Sequence, residues 1–147
     1  MSYLYRGVSA CMHNSTGGRL RPKKFEPFTY AFHYGEGIKY GSGAKYGSSE
    51  TNAVIRHQLK QEGFPTSGVS TTPLLEKAKY YALGKSNLAG YVYKIDRSIL
   101  RQCGIKEFVV ADFARFPSVP EDQEVILVSP DFGELPLEIV IEIIQVG

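Results

Sequence analysis

Several short stretches of the chain are rich in β-branched or aromatic residues, and those over residues 3–8 and 90–96 also alternate between apolar and polar positions, which is the pattern of half-buried β-strands. The first stretch begins almost at the first residue, covers residues 3–8 and is rich in aromatic side chains. Four others lie in the second half of the chain and are rich in β-branched or aromatic residues, which favour strands. These four cover residues 90–96, 108–110, 124–128 and 137–146.

The chain from residue 14 to residue 49 has little periodicity and is rich in Gly, Pro, Lys and Tyr. This composition predicts a long loop, and loops of such length inside a domain are usually functional or mobile. Apolar residues then recur at helical spacing, which predicts a helix capped by Ser48 or Ser49. It runs to about Glu62, and Gly63 ends it.

A second helix is predicted over residues 73–83. Pro73 suits the first helical position, Thr72 is the expected cap, and Gly84 follows the end. One early strand, then helices and then most of the strands is the order of an α+β domain rather than of an alternating parallel sheet. No glycine-rich dinucleotide-binding motif lies between a strand and a helix, so a Rossmann site is not indicated.

Composition and length limit the classes of protein that fit this chain. The 147 residues suit one domain over 1–147, and 43% hydrophobic with 22% charged residues is typical of a globular protein. A net charge of +2 is too small to indicate a nucleic-acid partner. We find no apolar run that would span a membrane and no secretory signal, and we expect Cys11 and Cys103 to be unpaired. The sequence therefore predicts a cytoplasmic protein, either in the producing cell or in a target cell after delivery.

One charged residue, Arg6, lies inside the first predicted strand. A charge buried there without a partner would cost free energy, so the simplest interpretation is that Arg6 points to solvent. The alternative is that its planar guanidinium presents a fork of donors to a phosphate or carboxylate in a cleft. Arg6 taken alone leaves both interpretations open.

Three hydroxyl-bearing residues in a row, Ser70, Thr71 and Thr72, precede the second helix. Capping accounts for Thr72 only. Farther along, Glu124 opens a strand, and Asp122, two positions earlier, would face the same side of an extended chain. Acidic residues at such a junction are usually solvated when taken singly. Capping and solvation therefore leave Ser70 and Thr71 without an explanation.

An arginine on the first strand, a Ser-Thr-Thr before a helix and an acidic pair opening a late strand occur here in that order. Together they resemble the ADP-ribosyltransferases of the cholera-toxin-like branch, and the resemblance covers residues 4–128. It implies a single catalytic domain in which two small, mostly antiparallel sheets form a cleft with helices packed on them. It also implies NAD as a substrate and no metal.

The resemblance gives specific residues specific roles. It implies that Arg6 binds the phosphates of NAD, that Ser70 orients the catalytic carboxylate and that Glu124 engages the nicotinamide ribose. It places Thr71 and Thr72 beside the cofactor, with Thr72 standing where the family has a second serine. A fixed carboxylate and a held pyrophosphate suit the cleavage of the nicotinamide bond, which builds positive charge on the ribose.

Other positions concern the acceptor. Asp122 stands where the family has Glu or Gln, and its shorter side chain leaves the type of acceptor open. The loop over residues 113–120 corresponds to the acceptor-recognition loop, which makes Phe116 and its neighbour Arg115 candidate contacts, although Phe116 is equally expected to pack into the core. His57, on the first predicted helix, is a further candidate for the NAD pocket, but a lone His on such a helix is more often structural.

The sequence thus predicts a mono-ADP-ribosyltransferase acting on a macromolecule, with a toxin or effector acting on protein as the first choice. The basic residues of 19–24 and the tyrosines of 30–46 are suited to holding RNA or DNA, which gives the alternative acceptor, although a solvated loop explains them as well. A non-catalytic nucleotide-binding or interaction module is the remaining alternative. A toxin would also require a neutralising antitoxin or immunity protein in its producer.

Overall fold

The computed structural model describes residues 2–22, 28, 68–84, 89–113 and 123–147. Within these ranges six strands form two three-stranded sheets in which every neighbouring pair is antiparallel. The predicted α+β class with two small antiparallel sheets is therefore confirmed. The strands are β1 (Tyr3–Ser9), β2 (Val69–Thr71), β3 (Gly90–Asp96), β4 (Lys106–Val109), β5 (Val125–Val128) and β6 (Val140–Val146).

The first sheet has the order β1-β3-β6, and the second has the order β2-β5-β4. Alternate residues of each sheet point towards the other sheet, because successive side chains of a strand face opposite sides. The largest cluster of buried side chains lies between the sheets and contributes most to their association. It includes Leu4, Val8, Tyr93 and Ile95 from the first sheet and Val69, Val125 and Leu127 from the second.

The two sheets are joined at their edges by one isolated bridge between Tyr5 and Thr72. The Tyr5 N–H donates to the Thr72 carbonyl at 2.7 Å, and the Thr72 N–H donates to the Tyr5 carbonyl at 2.9 Å. Because β1 and β2 are edge strands, this bridge connects the sheets without an additional strand. It also brings the residues that neighbour Tyr5 and Thr72, including Arg6, to the junction of the two sheets.

The first sheet is covered on its other face by the helix α2 (Leu75–Leu83). Ala78 and Ala82, one helical turn apart, are fully buried against this face. A Cβ atom on Gly7 would lie 1.9 Å from the Ala78 carbonyl oxygen, and one on Gly90 would lie 2.1 Å from the Ala82 carbonyl oxygen. Two glycines facing two alanines thus allow the helix backbone to approach the sheet closely.

The predicted start of this helix is wrong, while its predicted end at Leu83 before Gly84 is confirmed. Thr72 is paired with Tyr5 in an extended conformation, so the chain still has to turn before a helix begins. The Thr72 hydroxyl accepts a hydrogen bond from the Leu74 N–H at 3.1 Å, which stabilises that turn. The helix therefore starts at Leu75, two residues later than Pro73.

A short helix, α1 (Ala10–Thr16), occupies the beginning of the predicted 14–49 loop, which is a further correction. The Ser9 hydroxyl caps it by accepting from the Met12 N–H, and Gly17 ends it in the left-handed conformation with φ 66°. No residue of α1 is buried, so the sequence carries no apolar stripe that would reveal the helix. The remainder of the predicted loop, apart from residues 17–22 and 28, and the predicted helix over 49–62 lie outside the described residues.

The late strands differ from their predicted bounds by a few residues. Residue 110 does not belong to a strand but begins the short helix α3 (Val110–Phe113). The first three residues of the predicted 137–146 strand form a 3-10 helix, Leu137–Ile139. Among the described residues no helix is long and apolar enough to cross a membrane, and both cysteines are free as expected.

Candidate active site

Three of the predicted site residues meet at the junction of the two sheets. The Arg6 Nη1 donates a hydrogen bond to the Ser70 carbonyl oxygen at 3.0 Å. The Ser70 hydroxyl donates to the Glu124 Oε2 at 2.5 Å, a charge-assisted bond. The fold thus brings together a cation from β1, a hydroxyl from β2 and a carboxylate from the residue directly before β5.

The strand register explains why Ser70 reaches Glu124. In the β2–β5 pair Ser70 lies opposite Ile126 and Thr71 lies opposite Val125. Glu124 is therefore the diagonal neighbour of Ser70, and diagonal side chains on one face of an antiparallel pair are within reach of each other. The Glu124 carbonyl also accepts a bond from the Val110 N–H at 3.0 Å, which fixes the backbone beneath the carboxylate.

Burial has the largest effect on the Arg6 guanidinium and holds its pKa below the ordinary value. Burial lowers the pKa of the half-buried Arg6 guanidinium, while the nearby Glu124 carboxylate and the Tyr93 phenol raise it. A guanidinium has five N–H donors in a planar fork, and the bond to Ser70 uses one nitrogen only. Arg6 is therefore suited to binding an anion next to the carboxylate.

The other two hydroxyls of the Ser-Thr-Thr motif are bonded within the protein. The buried Thr71 hydroxyl donates to the Val125 carbonyl oxygen at 2.7 Å and so ties β2 to β5. The Thr72 hydroxyl accepts from Leu74 in the turn before α2. Both contacts are structural, and the role of Thr71 and Thr72 in binding NAD stays a prediction.

The backbone directly before Glu124 is not extended, which corrects the argument made for Asp122. Gln123 has φ 51°, a left-handed conformation that is uncommon for a residue with a side chain. The strand begins only at Val125, so alternation along an extended chain does not place Asp122 and Glu124 on one side. Asp122 itself lies outside the described residues, as do the other predicted site residues Arg115, Phe116 and His57.

Gln123 provides a test of whether this conformation is strained. We expect Gln123→Gly to be neutral or stabilising by up to about 1 kcal/mol, because glycine adopts positive φ without steric cost. Gln123→Val is expected to lose about 1 kcal/mol, because a β-branched residue fits this conformation worst. Denaturant unfolding of both variants measures the difference. Gln145, on the extended strand β6, is the control: there the Val variant should have a higher free energy of unfolding than the Gly variant. Equal free energies of unfolding for the Gly and Val variants at position 123 would contradict the strain.

Sequence reasoning missed an aromatic group beside Arg6. Tyr93 is buried, and its hydroxyl lies 2.6 Å from the Nδ1 of His13, a residue of α1. Burial raises the pKa of the Tyr93 phenol, while a hydrogen bond to Thr16 and the charge of Arg6 lower it. The only sequence signal is the spacing of Tyr91 and Tyr93, two residues apart on a strand, and it does not show that Tyr93 lies opposite Arg6.

The site offers acid–base and electrostatic groups rather than a metal centre in the part of the chain that the structure describes. There, no group of three or more His, Cys, Asp or Glu residues is placed to hold a metal ion. A fixed carboxylate can stabilise positive charge that develops on a reacting group, and Arg6 can hold an anionic part of the same molecule. This combination suits the cleavage of a bond in a phosphate-bearing substrate.

Residues 3–127 match the model of the family named NarE. This range covers more than half of the chain and contains Arg6, Ser70 and Glu124. A comparison with curated proteins finds no match.

Proposed function

This chain belongs to the NarE family, an ADP-ribosyltransferase-like family, and we propose that it transfers a single ADP-ribose unit from NAD to a macromolecular acceptor. Family membership implies NAD as the substrate. The finer assignment to the cholera-toxin-like branch is part of the proposal. It is supported by an arginine on β1, a serine on β2 and a glutamate directly before β5 in one site.

The hydrogen bond between Ser70 and Glu124 is the observation that supports the proposed reaction most directly. When the glycosidic bond breaks, its electron pair goes to the nicotinamide nitrogen and the ribose gains oxocarbenium character. A carboxylate already held in place stabilises this charge without reorganising during the reaction. A nucleophile of the acceptor then attacks the ribose carbon and loses its proton, and nicotinamide leaves.

Arg6 has a separate task in this proposal. Its guanidinium would hold the pyrophosphate of NAD and so limit the motion of the ribose relative to Glu124. The Ser70 residue links the two tasks, because its carbonyl accepts from Arg6 and its hydroxyl donates to Glu124. Binding and bond cleavage would therefore depend on the position of one residue.

We propose a protein side chain as the acceptor. The alternative, RNA or DNA, depends on the basic residues of 19–24 and on the tyrosines of 30–46, which lie outside the described residues. The two basic residues that the structure describes in 19–24 are both paired with the same acidic residue. Arg19 lies 3.2 Å and Arg21 lies 2.9 Å from the carboxylate of Glu134. The single Glu134 carboxylate offsets one of these two positive charges, so the pair attracts phosphate less than two unpaired arginines would, which favours protein.

The test is to offer NAD labelled in its adenylate half to the purified chain, in parallel with a protein extract and with total nucleic acid. We expect nicotinamide release and label that protease removes in the sample with protein extract, and no label that nuclease removes in the sample with nucleic acid. Label that survives protease and disappears with nuclease would overturn the protein acceptor and establish the nucleic-acid alternative. Binding of NAD without nicotinamide release would favour the non-catalytic module.

The identity of the labelled acceptor also tests the proposed role. We propose that the chain is a toxin or effector that acts in the cytoplasm. In that role its acceptor must be a macromolecule of the cell that it damages. A producing cell would then need a neutralising antitoxin or immunity protein. Labelling confined to the chain itself would contradict the toxin role and remove the reason for such a partner.

A further inference from the structure

Tyr93 occupies a position next to Arg6 that the register of the first sheet determines. β3 is the middle strand of that sheet, and Tyr93 on β3 is the Cα partner of Arg6 on β1. Directly opposed residues of an antiparallel pair point to the same face, so the two side chains are neighbours. Only 1% of Tyr93 is exposed, so the phenol is a wall of the site and not a surface that meets a ligand.

The hydroxyl of Tyr93 is tied to α1, the helix that directly follows β1. It lies 2.6 Å from the His13 Nδ1. The His13 ring is itself held, because it stacks on Tyr91 with a centroid distance of 3.9 Å and an interplanar angle of 24°. The Tyr93 ring is thus fixed at its backbone end by a central strand and at its hydroxyl end by a helix.

Arg6 lies between this fixed ring and the second sheet. On one side its Nη1 donates to the Ser70 carbonyl, and on the other side its cross-strand neighbour is Tyr93. Holding a long arginine side chain in one position costs rotamer entropy. A rigid neighbour restricts the guanidinium already in the unbound protein, so less of this entropy is lost when the ligand binds. A loosened Tyr93 ring would let the guanidinium occupy several positions.

We propose that His13 and Tyr93 form a positioning pair that holds the Arg6 guanidinium where it meets the pyrophosphate of NAD. The inference rests on the proposed function and adds two residues to it. Neither residue is a catalytic residue, since both act through Arg6. Loss of the pair should weaken NAD binding and leave the reaction of bound NAD unchanged.

The test is Tyr93→Phe, which keeps the buried ring and removes only the hydroxyl. We expect the KM for NAD to rise about five-fold with kcat within two-fold of the wild type, in an assay of nicotinamide release. His13→Ala is expected to give the same change, and the double variant to be no worse than either single one, because one contact is lost in all three. Tyr80→Phe, on the exposed side of α2, is the matched control and should change neither constant.

A second measurement shows whether the pair acts through Arg6. In an Arg6→Lys background, which keeps the charge and removes the fork, Tyr93→Phe should change the dissociation constant of NAD by less than two-fold. An unchanged KM in both Tyr93→Phe and His13→Ala, or a fall in kcat with KM unchanged, would overturn the proposal. The second outcome indicates a merely structural role, because a smaller folded fraction lowers kcat alone.

The wild type separates the failure of this inference from the failure of the proposed function. If the wild type releases nicotinamide and the variants match it, only the positioning pair is wrong. If the wild type binds NAD without releasing nicotinamide, the transferase proposal fails, and the dissociation constants of the variants decide the role of the pair. If the wild type does not bind NAD, both proposals fail.

Discussion

Replacement of Glu124 by Gln is expected to lower the rate of nicotinamide release from NAD by about 100- to 1000-fold. The amide has nearly the shape of the carboxylate and still offers an oxygen to the Ser70 hydroxyl. It lacks the negative charge that stabilises an oxocarbenium-like ribose, and the loss of one such preorganised electrostatic contact lowers kcat by a factor of this size. The measurement is nicotinamide release by the purified variant and the wild type at saturating NAD, with the protein extract present as acceptor.

Glu142→Gln is the matched control for this prediction. Glu142 lies on β6, its carboxylate is mostly exposed, and its distance of 4.0 Å from the Lys94 Nζ indicates a weak surface pair. We expect its activity to stay within two-fold of the wild type. A Glu124→Gln variant that keeps more than half of the wild-type rate would remove this carboxylate from the mechanism.

Replacement of Gly7 by Ala is expected to destabilise the fold by about 3 kcal/mol or more. The new methyl group would lie 1.9 Å from the Ala78 carbonyl oxygen, and that oxygen belongs to the backbone of α2. A backbone atom cannot move aside by changing a rotamer, so the helix would have to shift away from the sheet, which is the severe form of overpacking. Denaturant unfolding measures the change in the free energy of unfolding.

Gly133→Ala provides the comparison, because a methyl group there would meet the side chain of Asp131 at 3.2 Å rather than a backbone atom. A side chain can yield by a few tenths of an ångström, so we expect a loss of less than about 1 kcal/mol. Equal losses at the two positions would mean that the close approach of α2 to the first sheet does not limit stability.

The elements that the sequence predicted well are those whose pattern is local. β3 was predicted with the bounds that it has, because its residues alternate along its whole length. β2 has three residues, too few for a pattern, and it is a strand only because it pairs with β5. The helix α1 has no buried face, and so it leaves no trace in the spacing of apolar residues.

In the candidate site, too, local sequence features are predictable from the sequence and contacts between strands are not. Residue types and their order along the chain pointed to Arg6, Ser70 and Glu124. Their contacts depend on register, which pairs Ser70 with Ile126 and so sets the distance to Glu124. The sequence does not predict Tyr93 as a site residue, because a single sequence does not show which residue of β3 lies opposite Arg6.

The left-handed conformation of Gln123 could not be foreseen either. Gln has no special preference for positive φ, whereas a glycine at that position would have signalled a turn. Asp122 and Glu124 would share one side only in an extended chain, and the extended segment begins at Val125.

The large sequence separation of the site residues has a consequence for biosynthesis. The bond from Arg6 to Ser70 spans 64 positions, and the bond from Ser70 to Glu124 spans 54 more. Translation proceeds at about 5–20 residues per second, so on the order of ten seconds pass between the synthesis of Arg6 and that of Glu124. Throughout that interval the nascent chain lacks the Glu124 carboxylate, so the proposed activity can begin only after Glu124 has been synthesised and has reached Ser70.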